Sequence, residues 1–585
     1  MLNDVIKTFE KIYKAKGDSF ITDSYVPVDG EYIIVDTSGE EFKILDKIVI
    51  KQDKKTKQLD TTNQYFDFIR KADYMSRYLG SNKAIKNKNI YSNNYFTFFV
   101  KKKNVHNGKI TNNIIEEYYN ILKNPLLKYK NPKSKKLYQE VEKINGKADE
   151  KRIEKIQEWI KNNIYDLVPK DIKDESYLKI FFKYDLEEYR KESEKYILTN
   201  IYNKNDYNIT IDKHIYGLPN DNMGLNSKKP YLENKSRKTK VPYLLSQNEA
   251  LIQKKFFDYL MNQASIDKTN VYINEDNITA ISDDEKLDEI LDEDFSGYYL
   301  RIRKGKEEVE ILDFDIIGLY EAKIKPLRLE NVLQLEKSSV NYGNIYTLEG
   351  LKKVINEVFF SKFLTSNYFT EPKDLNIKDI NLKRNLLLAR TTLFRWFYKG
   401  NRNSVWKILN VTSLHLIKGS IKKGSINNGY LQKAGEQFNL RVSLKSYFEG
   451  GKSMADILMS VRNSLRSKIN EKDTSSIDND NEYWFAVGQL ASYFISLSKG
   501  KNKVHSLANP IINAKTNNRI KEELRKLYKK YNYIIDVRNK KFNNLFAMVF
   551  AYKPEGKVEE DLIIAGYLYS NLIYEKSVRE DEKDE

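Results

Sequence analysis

The spacing of apolar and polar residues predicts that the two ends of this chain are built differently. Apolar residues recur at helical spacing over residues 3–15. They then alternate with polar residues around Tyr32–Val35 and from Phe42 onward, as β-strands require. Aromatic-rich strand candidates follow at 94–100 and 178–184, within a pattern that is otherwise mostly helical. The N-terminal region is therefore expected to combine helices with short β-sheets.

From residue 347 onward a 3.6-residue period dominates, which is typical of packed helices. Gly450-Gly451 and Thr474–Asn481 are the expected breaks between those helices. The fold class predicted is α+β, with a mixed N-terminal region and an all-α C-terminal helical bundle. Four regions are expected: an α+β nucleic-acid-recognition region at 1–275, an acidic linker with a β-hairpin at 276–346, a basic helical region at 347–450, and a C-terminal helical bundle at 451–585.

Two connecting segments differ from their surroundings in composition. Residues 201–250 are basic and read as a loop, whereas residues 275–294 hold ten acids and one lysine and read as a solvated linker. A strand pair is expected at 297–316.

Composition limits the class of protein. The 585 residues are 40% apolar and 12% aromatic, which favours a folded chain over a disordered basic tail. There is no cysteine, so disulfides, thiolate zinc sites and cysteine nucleophiles are excluded. The first residues lack a signal-peptide apolar region, and no apolar run approaches the roughly 18 residues of a membrane span. We therefore expect a soluble, cytoplasmic protein that does not contact a membrane.

The distribution of charge along the chain indicates a class of binding partner. Lys and Arg number 100 against 82 Asp and Glu, a net charge of +18. Residues 74–115 carry eight bases and no acid, and residues 380–435 carry eleven bases and no acid, where simple proportion would place about eight acids. Because carboxylates repel phosphate, two stretches that keep bases and lack acids indicate nucleic-acid binding. A solvated basic surface is the alternative.

The first acid-free stretch contains candidate DNA-reading residues. Asn93 and Asn94 stand at the start of a predicted strand, and asparagine amides can read base edges. The lysines on either side are candidates for phosphate contacts. They are Lys83, Lys86, Lys88, Lys101, Lys102 and Lys103. Phe96, Phe98 and Val100 share one face of the strand and are expected to enter a core at the same time.

Three more segments are candidates for contacts to a nucleic-acid backbone. The first is the Gly- and Pro-containing loop from Met223 to Tyr243, which reads as a functional loop or, alternatively, a solvated linker. The others are basic faces of helices predicted at 380–399 and 515–531, the second with Ile520, Leu524, Leu527 and Tyr531 on its apolar side. The candidates are Lys228, Lys229, Arg237 and Lys238 in the loop, Arg384, Arg395 and Lys399 on the first helix, and Lys515, Arg519, Lys526 and Lys529 on the second.

Catalytic chemistry has little support in the sequence. The four histidines have no acidic neighbour at metal-ligand spacing, and Gly451-Lys452-Ser453 lacks the glycine at position 446 that a phosphate-binding loop needs. Asp313, Asp315, Glu321 and Lys323 could form a metal-dependent nuclease site, but they also fit the polar face of a strand followed by a turn. We expect no enzyme activity, cofactor or metal, and keep the nuclease as an alternative.

Several segments resemble the large subunit of type I-B CRISPR surveillance complexes (Cascade), and the resemblance runs in order over most of the chain. They are Ser92-Asn93-Asn94-Tyr95, the Gly224–Tyr243 loop, the helix start Gln253–Leu260, Tyr483–Leu490 and Phe542-Asn543-Asn544-Leu545. The resemblance implies a non-catalytic subunit in antiviral defence. Such a subunit lies near the crRNA 5′ end, recognises the protospacer-adjacent motif, stabilises the R-loop and recruits a helicase-nuclease. No motif-reading residue carries over from the family.

The partners that the resemblance implies are all parts of one RNA-guided assembly. They are crRNA, target double-stranded DNA with its displaced single strand, the backbone, 5′-handle-binding and small subunits of Cascade, and the helicase-nuclease effector. A nonspecific basic scaffold is a third functional alternative, and it would bind all duplexes equally.

A second product of the same gene is also expected. Glu449-Gly450-Gly451 can be encoded by a strong bacterial ribosome-binding sequence, and Met454 follows at a suitable spacing. Relatives of the family make their small subunit by internal initiation, so a start at Met454 would produce residues 454–585 separately. The alternative is that Glu-Gly-Gly is only a helix break.

Overall fold

The computed structural model divides the chain into two compact units. The N-terminal unit comprises Met1–Glu285 and Ser296–Ile316, and the C-terminal unit comprises Lys286–Phe295 and Ile317–Glu585. The residues described are 2–76, 89–170, 174–202, 205, 208–212, 214–219, 244–291, 294–305, 308–425, 428–450, 454–473, 475–498 and 504–575. Helices make up 52% and strands 16%, with mixed structure in the N-terminal region and helices in the C-terminal region, so the predicted α+β class is confirmed.

The helices and strands of the N-terminal unit alternate along the chain. Its helices are Leu2–Lys16 (α1), Ser19–Thr22 (α2), Phe66–Met75 (α3), Asn112–Lys123 (α4), Pro132–Asn145 (α5), Glu150–Asn163 (α6), Leu186–Thr199 (α7) and Gln247–Ser265 (α8). Its strands are Gly30–Asp36 (β1), Lys43–Ile50 (β2), Thr97–Lys101 (β3), Tyr177–Phe182 (β4), Ile209–Ile211 (β5), His214–Gly217 (β6), Leu245–Ser246 (β7), Asn270–Ile273 (β8) and Ile278–Ile281 (β9), joined by most of Asp294–Lys304 (β10) and Val309–Glu321 (β11).

A four-stranded sheet in the order β2-β1-β4-β3 organises the first core of this unit. β1 pairs with β4 in parallel, and β4 pairs antiparallel with β3. Four consecutive residues of β1, Tyr32 to Val35, are buried, as expected for a central strand with residues packed on both faces. The strands predicted from Tyr32, from Phe42, at 94–100 and at 178–184 correspond to β1, β2, β3 and β4.

A second core lies between α1, α8 and the sheet ordered β11-β10-β8-β9. Val5, Phe9 and Ile12 of α1 are buried at the helical spacing expected from the sequence. α8 begins at Gln247 because Ser246 and Glu249 form a reciprocal capping box there. The helix therefore starts six residues before the Gln253 expected from the sequence.

The connecting segments of this unit have more regular structure than predicted. Ile209–Ile211 form β5 and His214–Gly217 form β6, where a loop was expected, and β6 pairs with both β5 and β7 in a three-stranded sheet. Ile278–Ile281 of the expected acidic linker form β9, which pairs with β8. The acidic residues occupy the turns around β9, so the apolar strand within the segment was hidden by its average composition.

The C-terminal unit is mainly helical. It contains the short helix Leu287–Ile290 (α9), the antiparallel strands Lys323–Leu329 (β12) and Gly343–Thr347 (β13), and ten further helices in the described residues. These are Leu348–Val358 (α10), Ile380–Lys399 (α11), Val405–Lys423 (α12), Tyr430–Glu449 (α13), Met454–Asn470 (α14), Asp480–Ser496 (α15), Asn509–Ile512 (α16), Asn517–Tyr531 (α17), Lys540–Ala551 (α18) and Glu560–Leu568 (α19).

The core of this unit depends on close contact between α15 and α19. A Cβ added at Gly488 would lie 2.1 Å from the carbonyl oxygen of Ile563, and one added at Gly566 would lie 2.1 Å from that of Phe485. Only glycine allows these backbones to meet. Of the two expected breaks, Gly450 directly follows the end of α13, and residues 475–479 lie between α14 and α15. Gly451 and Thr474 lie outside the described residues. In the part of the chain that the structure describes, no helix has the length and apolar character needed to cross a membrane.

Candidate nucleic-acid interface

Asn94 is a structural residue of the turn that leads into β3. Its side-chain amide donates to the carbonyl oxygen of Tyr189 at 2.9 Å, and its Oδ1 accepts from the backbone N–H of Phe96 at 3.1 Å. The hydroxyls of Ser92 and Thr97 both donate to its backbone carbonyl. The side chain is fully buried. Asn94 is therefore covered and cannot reach a base edge in this conformation, and its surroundings give that prediction no support.

Asn93 differs from its neighbour in one respect. It is 4% exposed, and its Oδ1 is buried and accepts no hydrogen bond from any described residue. A buried carbonyl oxygen without a donor is costly to maintain. Asn93 therefore keeps an unused acceptor, but only a local rearrangement could bring it to a duplex.

Two of the three lysines at the end of β3 lie beside carboxylates that are distant in the sequence. Lys102 pairs with Glu31 at 3.0 Å and Asp174 at 3.2 Å, and Lys103 pairs with Glu175 at 2.5 Å. Lys101 lies over the ring of Tyr177 at 5.9 Å. The reason is the sheet, because β4 and β1 bring their own acids next to the end of β3. Residues 74–115 contain no acid in the sequence, but acids from other segments lie beside them in the folded protein.

Seven of the predicted contact residues lie outside the described residues. They are Lys83, Lys86 and Lys88 in the first stretch and Lys228, Lys229, Arg237 and Lys238 in the loop.

Helix α11 has the bounds expected from the sequence and carries two exposed arginines on one face. Arg384 and Arg395 are eleven residues apart, which places them about 16 Å apart and within about 20° around the axis. Neither forms an ion pair with a described residue. Leu388, between them, is 49% exposed. We call Arg384, Leu388, Thr391 and Arg395 the α11 arginine stripe.

Lys399, the third candidate on α11, does not belong to this stripe. It is 7% exposed and its ammonium lies 5.9 Å from the ring centre of Phe394. The helix ends at Gly400, where the end of β11 packs closely, since a Cβ there would meet the carbonyl oxygen of Leu319 at 3.0 Å. The helical wheel placed Lys399 near the face of Arg384 and Arg395 but could not show that it is buried.

The basic face predicted on α17 is largely paired with acids. Ile520, Leu524, Leu527 and Tyr531 are buried, which confirms the apolar side. On the other side Arg519 pairs with Glu522 at 3.0 Å and Glu523 at 2.8 Å, and Lys526 pairs with Glu523 at 2.9 Å.

Glu560 contacts Lys515, the first base of that face. Lys529 is exposed and has no carboxylate partner among the described residues. The face is therefore one of mixed charge, which suits phosphate less well than the α11 arginine stripe.

Sequence reasoning missed a cluster of rings and one arginine that lies next to α11. The guanidinium of Arg402 lies 4.7 Å from the ring centres of both Tyr447 and Phe448. Trp406 stacks on Phe448 at 5.8 Å and 14°, and Trp396 of α11 contacts the same ring at 5.5 Å. We call these five residues the arginine–aromatic cluster.

The cluster is partly open to solvent. Arg402 is exposed, while Trp406, Tyr447 and Phe448 are half-buried. One carboxylate contacts the cluster within the described residues. It is that of Glu449, which accepts a hydrogen bond from the indole nitrogen of Trp406 at 2.5 Å. Burial raises the pKa of Tyr447, with Arg402 opposing the shift, so the phenol stays neutral at neutral pH.

The rings of the cluster belong to three helices, so no local sequence pattern predicts it. The rings come from the end of α11, the start of α12 and the end of α13, and Arg402 lies in the loop between α11 and α12. The only signal in the sequence is the grouping of large rings at helix ends, where rings often fill a core instead.

The residues of the nuclease alternative lie along one strand. Asp313, Asp315 and Glu321 alternate on β11, and Lys323 begins β12. Within the described ranges no group of three potential metal ligands comes together.

Comparison of the chain with models of protein families, with curated proteins and with solved structures found no match.

Proposed function

We propose that this protein binds nucleic acid through its C-terminal unit and serves as the large, non-catalytic subunit of an RNA-guided DNA surveillance complex of type I-B. The observation that carries the binding part is the α11 arginine stripe beside the arginine–aromatic cluster. Three arginines there have no carboxylate partner in the described residues, and rings of three helices meet next to them.

The chemistry of this surface suits a single strand better than a closed duplex. Unpaired guanidinium groups attract phosphates and release counterions. Tryptophan, tyrosine and phenylalanine rings at a half-open surface can stack on bases, and each stacked base contributes about 1–3 kcal/mol. A duplex hides its bases within the stack, so rings of this kind gain most from unpaired nucleotides. In the proposed complex, the displaced DNA strand or the crRNA is such a partner.

Two sets of substitutions separate exposed arginines from paired bases. In the first, Arg384, Arg395 and Arg402 are all changed to Gln. In the second, the matched control, Lys515, Arg519 and Lys526 of the α17 region are changed to Gln. Affinity for a fluorescent single strand should fall at least about tenfold in the first set and less than about threefold in the second. Equal losses in the two sets would contradict the proposed surface.

Membership of the complex rests on the resemblance and needs its own test. The purified complex should contain this chain together with a repeat-derived guide RNA and other subunits. Its binding to duplexes should change when a short motif beside the target is altered, whereas a nonspecific scaffold would bind all duplexes equally. Cleavage of plasmid DNA by the isolated chain with Mg²⁺ would contradict a non-catalytic subunit.

We also propose that translation starts a second time at Met454, which would make the last 132 residues available as a separate small subunit. The proposal is supported by the Glu449-Gly450-Gly451 sequence, which can encode a ribosome-binding sequence, and by its spacing to Met454.

A further inference from the structure

A cavity in the N-terminal unit has walls that suit a planar, uncharged ligand. Its volume is about 460 Å³, within the range of roughly 300–1,000 Å³ that is typical of small-molecule sites. The walls come from β3, β4, α3, α7, α8 and the segment that follows α2. All of these elements belong to one compact unit.

The floor of the cavity is a row of side chains across the central sheet. Lys179 of β4 lies opposite Tyr32 of β1 and opposite Phe99 of β3 in the strand register. Its ammonium lies 5.2 Å from the centre of the first ring and 4.8 Å from the centre of the second. It forms an ion pair with Asp73 of α3 at 2.6 Å, and the hydroxyl of Tyr25 donates to the other oxygen of the same carboxylate.

Every carboxylate in the cavity wall has a cation of the same wall as its partner. Besides the pair of Asp73 and Lys179, three more pairs line the cavity. They are Asp18 with Lys255 at 3.1 Å, Glu194 with Arg190 at 3.1 Å, and Asp258 with Lys254. The wall also contains a fifth cation, Lys304. A charged group placed at the four pairs would compete with them, whereas a neutral group leaves them intact. The paired part of the wall therefore favours an uncharged group.

Aromatic rings and hydrogen-bonding groups both line the cavity. Tyr25 and Tyr74 form one edge-to-face pair, with ring centres 5.7 Å apart, and Tyr91 and Tyr177 form another at 5.3 Å. Carboxylates and hydroxyls supply acceptors, and ammonium groups supply donors. A fitting ligand is flat enough to lie on rings, carries no charge, and has donors and acceptors along one edge. Nucleobases meet all three conditions.

We propose that this cavity binds a nucleobase. The base can come from a free nucleoside or nucleotide, or it can be an unpaired base of a nucleic-acid strand, extruded into the cavity as base-flipping proteins do. Tyr91 and Phe99 belong to the acid-free stretch that the sequence linked to nucleic acid. The site is separate from the proposed strand-binding surface, so a negative result for one of the two proposals does not contradict the other.

The fluorescent base 2-aminopurine provides the test, because its emission falls when it stacks on another ring. The two probes are 2-aminopurine riboside and a single strand of about twelve nucleotides whose one 2-aminopurine lies between abasic sites, so that it is not already quenched by neighbouring bases. Ser193→Phe and Val26→Phe each place a ring in the cavity without removing an ion pair. Ser193→Ala keeps the cavity open, and Val49→Phe adds the same ring at an exposed position of β2 that does not line it.

Saturable quenching is expected for the wild type, Ser193→Ala and Val49→Phe, with affinity reduced at least about tenfold in the two filled variants. A filled variant is taken as folded when its thermal unfolding midpoint lies within about 2 °C of the wild type. Val26 is only half-buried, so Val26→Phe is expected to disturb the fold less than Ser193→Phe. Quenching of the strand alone would identify a base within nucleic acid as the ligand, and quenching of both probes would identify a free nucleoside as sufficient. Absence of quenching in the wild type, or equal affinity in the filled variants, would overturn the proposal.

Discussion

Arg384 and Arg402 differ from Lys102, Lys103 and Arg519 in what surrounds their charged groups. Lys102, Lys103 and Arg519 each lie within 3.2 Å of a carboxylate, so part of their attraction for phosphate is already used. Arg384 is exposed and has no such partner among the described residues, and Arg402 lies on two rings. At this scale the number of bases in a segment matters less than the number that have no acid beside them.

His415 on α12 can report on phosphate near Arg384. Burial lowers the pKa of His415 from its usual 6.5, with Arg384 and Lys418 lowering it further and Glu560 opposing them. A phosphate bound at Arg384 adds negative charge nearby, and should therefore raise the pKa of His415. Arg384→Gln should also raise it, because the substitution removes a positive neighbour.

Histidine signals in NMR spectra, followed from about pH 5 to pH 8, measure this pKa with and without a single strand. The chain has four histidines, and His415→Gln assigns the signal. A pKa that stays constant while the strand is bound would place the strand away from Arg384.

Single residues also show what could not be predicted from the sequence. Asn93 and Asn94 were chosen because asparagine can read bases, but asparagine serves equally well in turns, and the residues that bury Asn94 come from α7, some 95 positions along the chain. Arg402 was not chosen because its rings lie in another helix. Partners that meet only through the fold are not visible in a linear pattern.

At the scale of elements, periodicity predicts what lies within one helix or strand. It gave α1, β1 to β4, the bounds of α11 and the buried side of α17 correctly, because each depends on the spacing of apolar residues along a single segment. It missed β5, β6 and β9, which are short strands within polar segments, and it could not show which helices approach one another closely.

The contact of α15 with α19 provides a direct test of the packing. Gly488→Ala would place a methyl group 2.1 Å from the carbonyl oxygen of Ile563 and force the helices apart. We expect a loss of about 3 kcal/mol or more in the free energy of unfolding, measured by chemical denaturation.

Gly318→Ala is the matched control in the same unit, since no atom lies within 4 Å of its added Cβ. Its effect should stay within about 0.5 kcal/mol. If the two variants are equally stable, α15 and α19 are farther apart than described.

At the scale of the whole molecule, the two proposed binding sites belong to different units. The N-terminal unit holds a cavity whose carboxylates are all paired with cations of its wall, and the C-terminal unit holds exposed arginines and a cluster of rings. The sequence predicted the α+β class and a polyanion as partner, because both follow from averages over long segments. It could not locate the surfaces, because each is assembled from elements that are distant in the sequence.

The proposed start at Met454 predicts a second protein product. Met454→Leu should abolish a band of about 15 kDa that contains residues 454–585, as expected from 68.9 kDa for the whole chain. Met459→Leu is the matched control, because Met459 is exposed on the same helix and lies only five residues further along. Absence of the band in the wild type, or its persistence in Met454→Leu, would contradict internal initiation.

This separate product would lack partners that it has in the full chain. Asp561 is buried, and Arg441 and Lys445 hold its carboxylate at 2.8 and 3.3 Å. Burial acts to raise the pKa of Asp561, but these two cations lower it below its usual 3.8. Without them the carboxylate would have to be exposed or newly paired, so we expect the product to be stable mainly within an assembly.

The salt dependence of single-strand binding tests the central claim most directly, because it counts the phosphate contacts that the arginines make. The logarithm of the binding constant should fall linearly with the logarithm of salt concentration for the wild-type chain. When Arg384, Arg395 and Arg402 are all changed to Gln, the slope should become shallower by about 2, at about 0.7 per lost phosphate contact. The α17 control set should change it by less than about 1. An unchanged slope in the triple arginine variant would contradict the account, because the strand would then bind elsewhere.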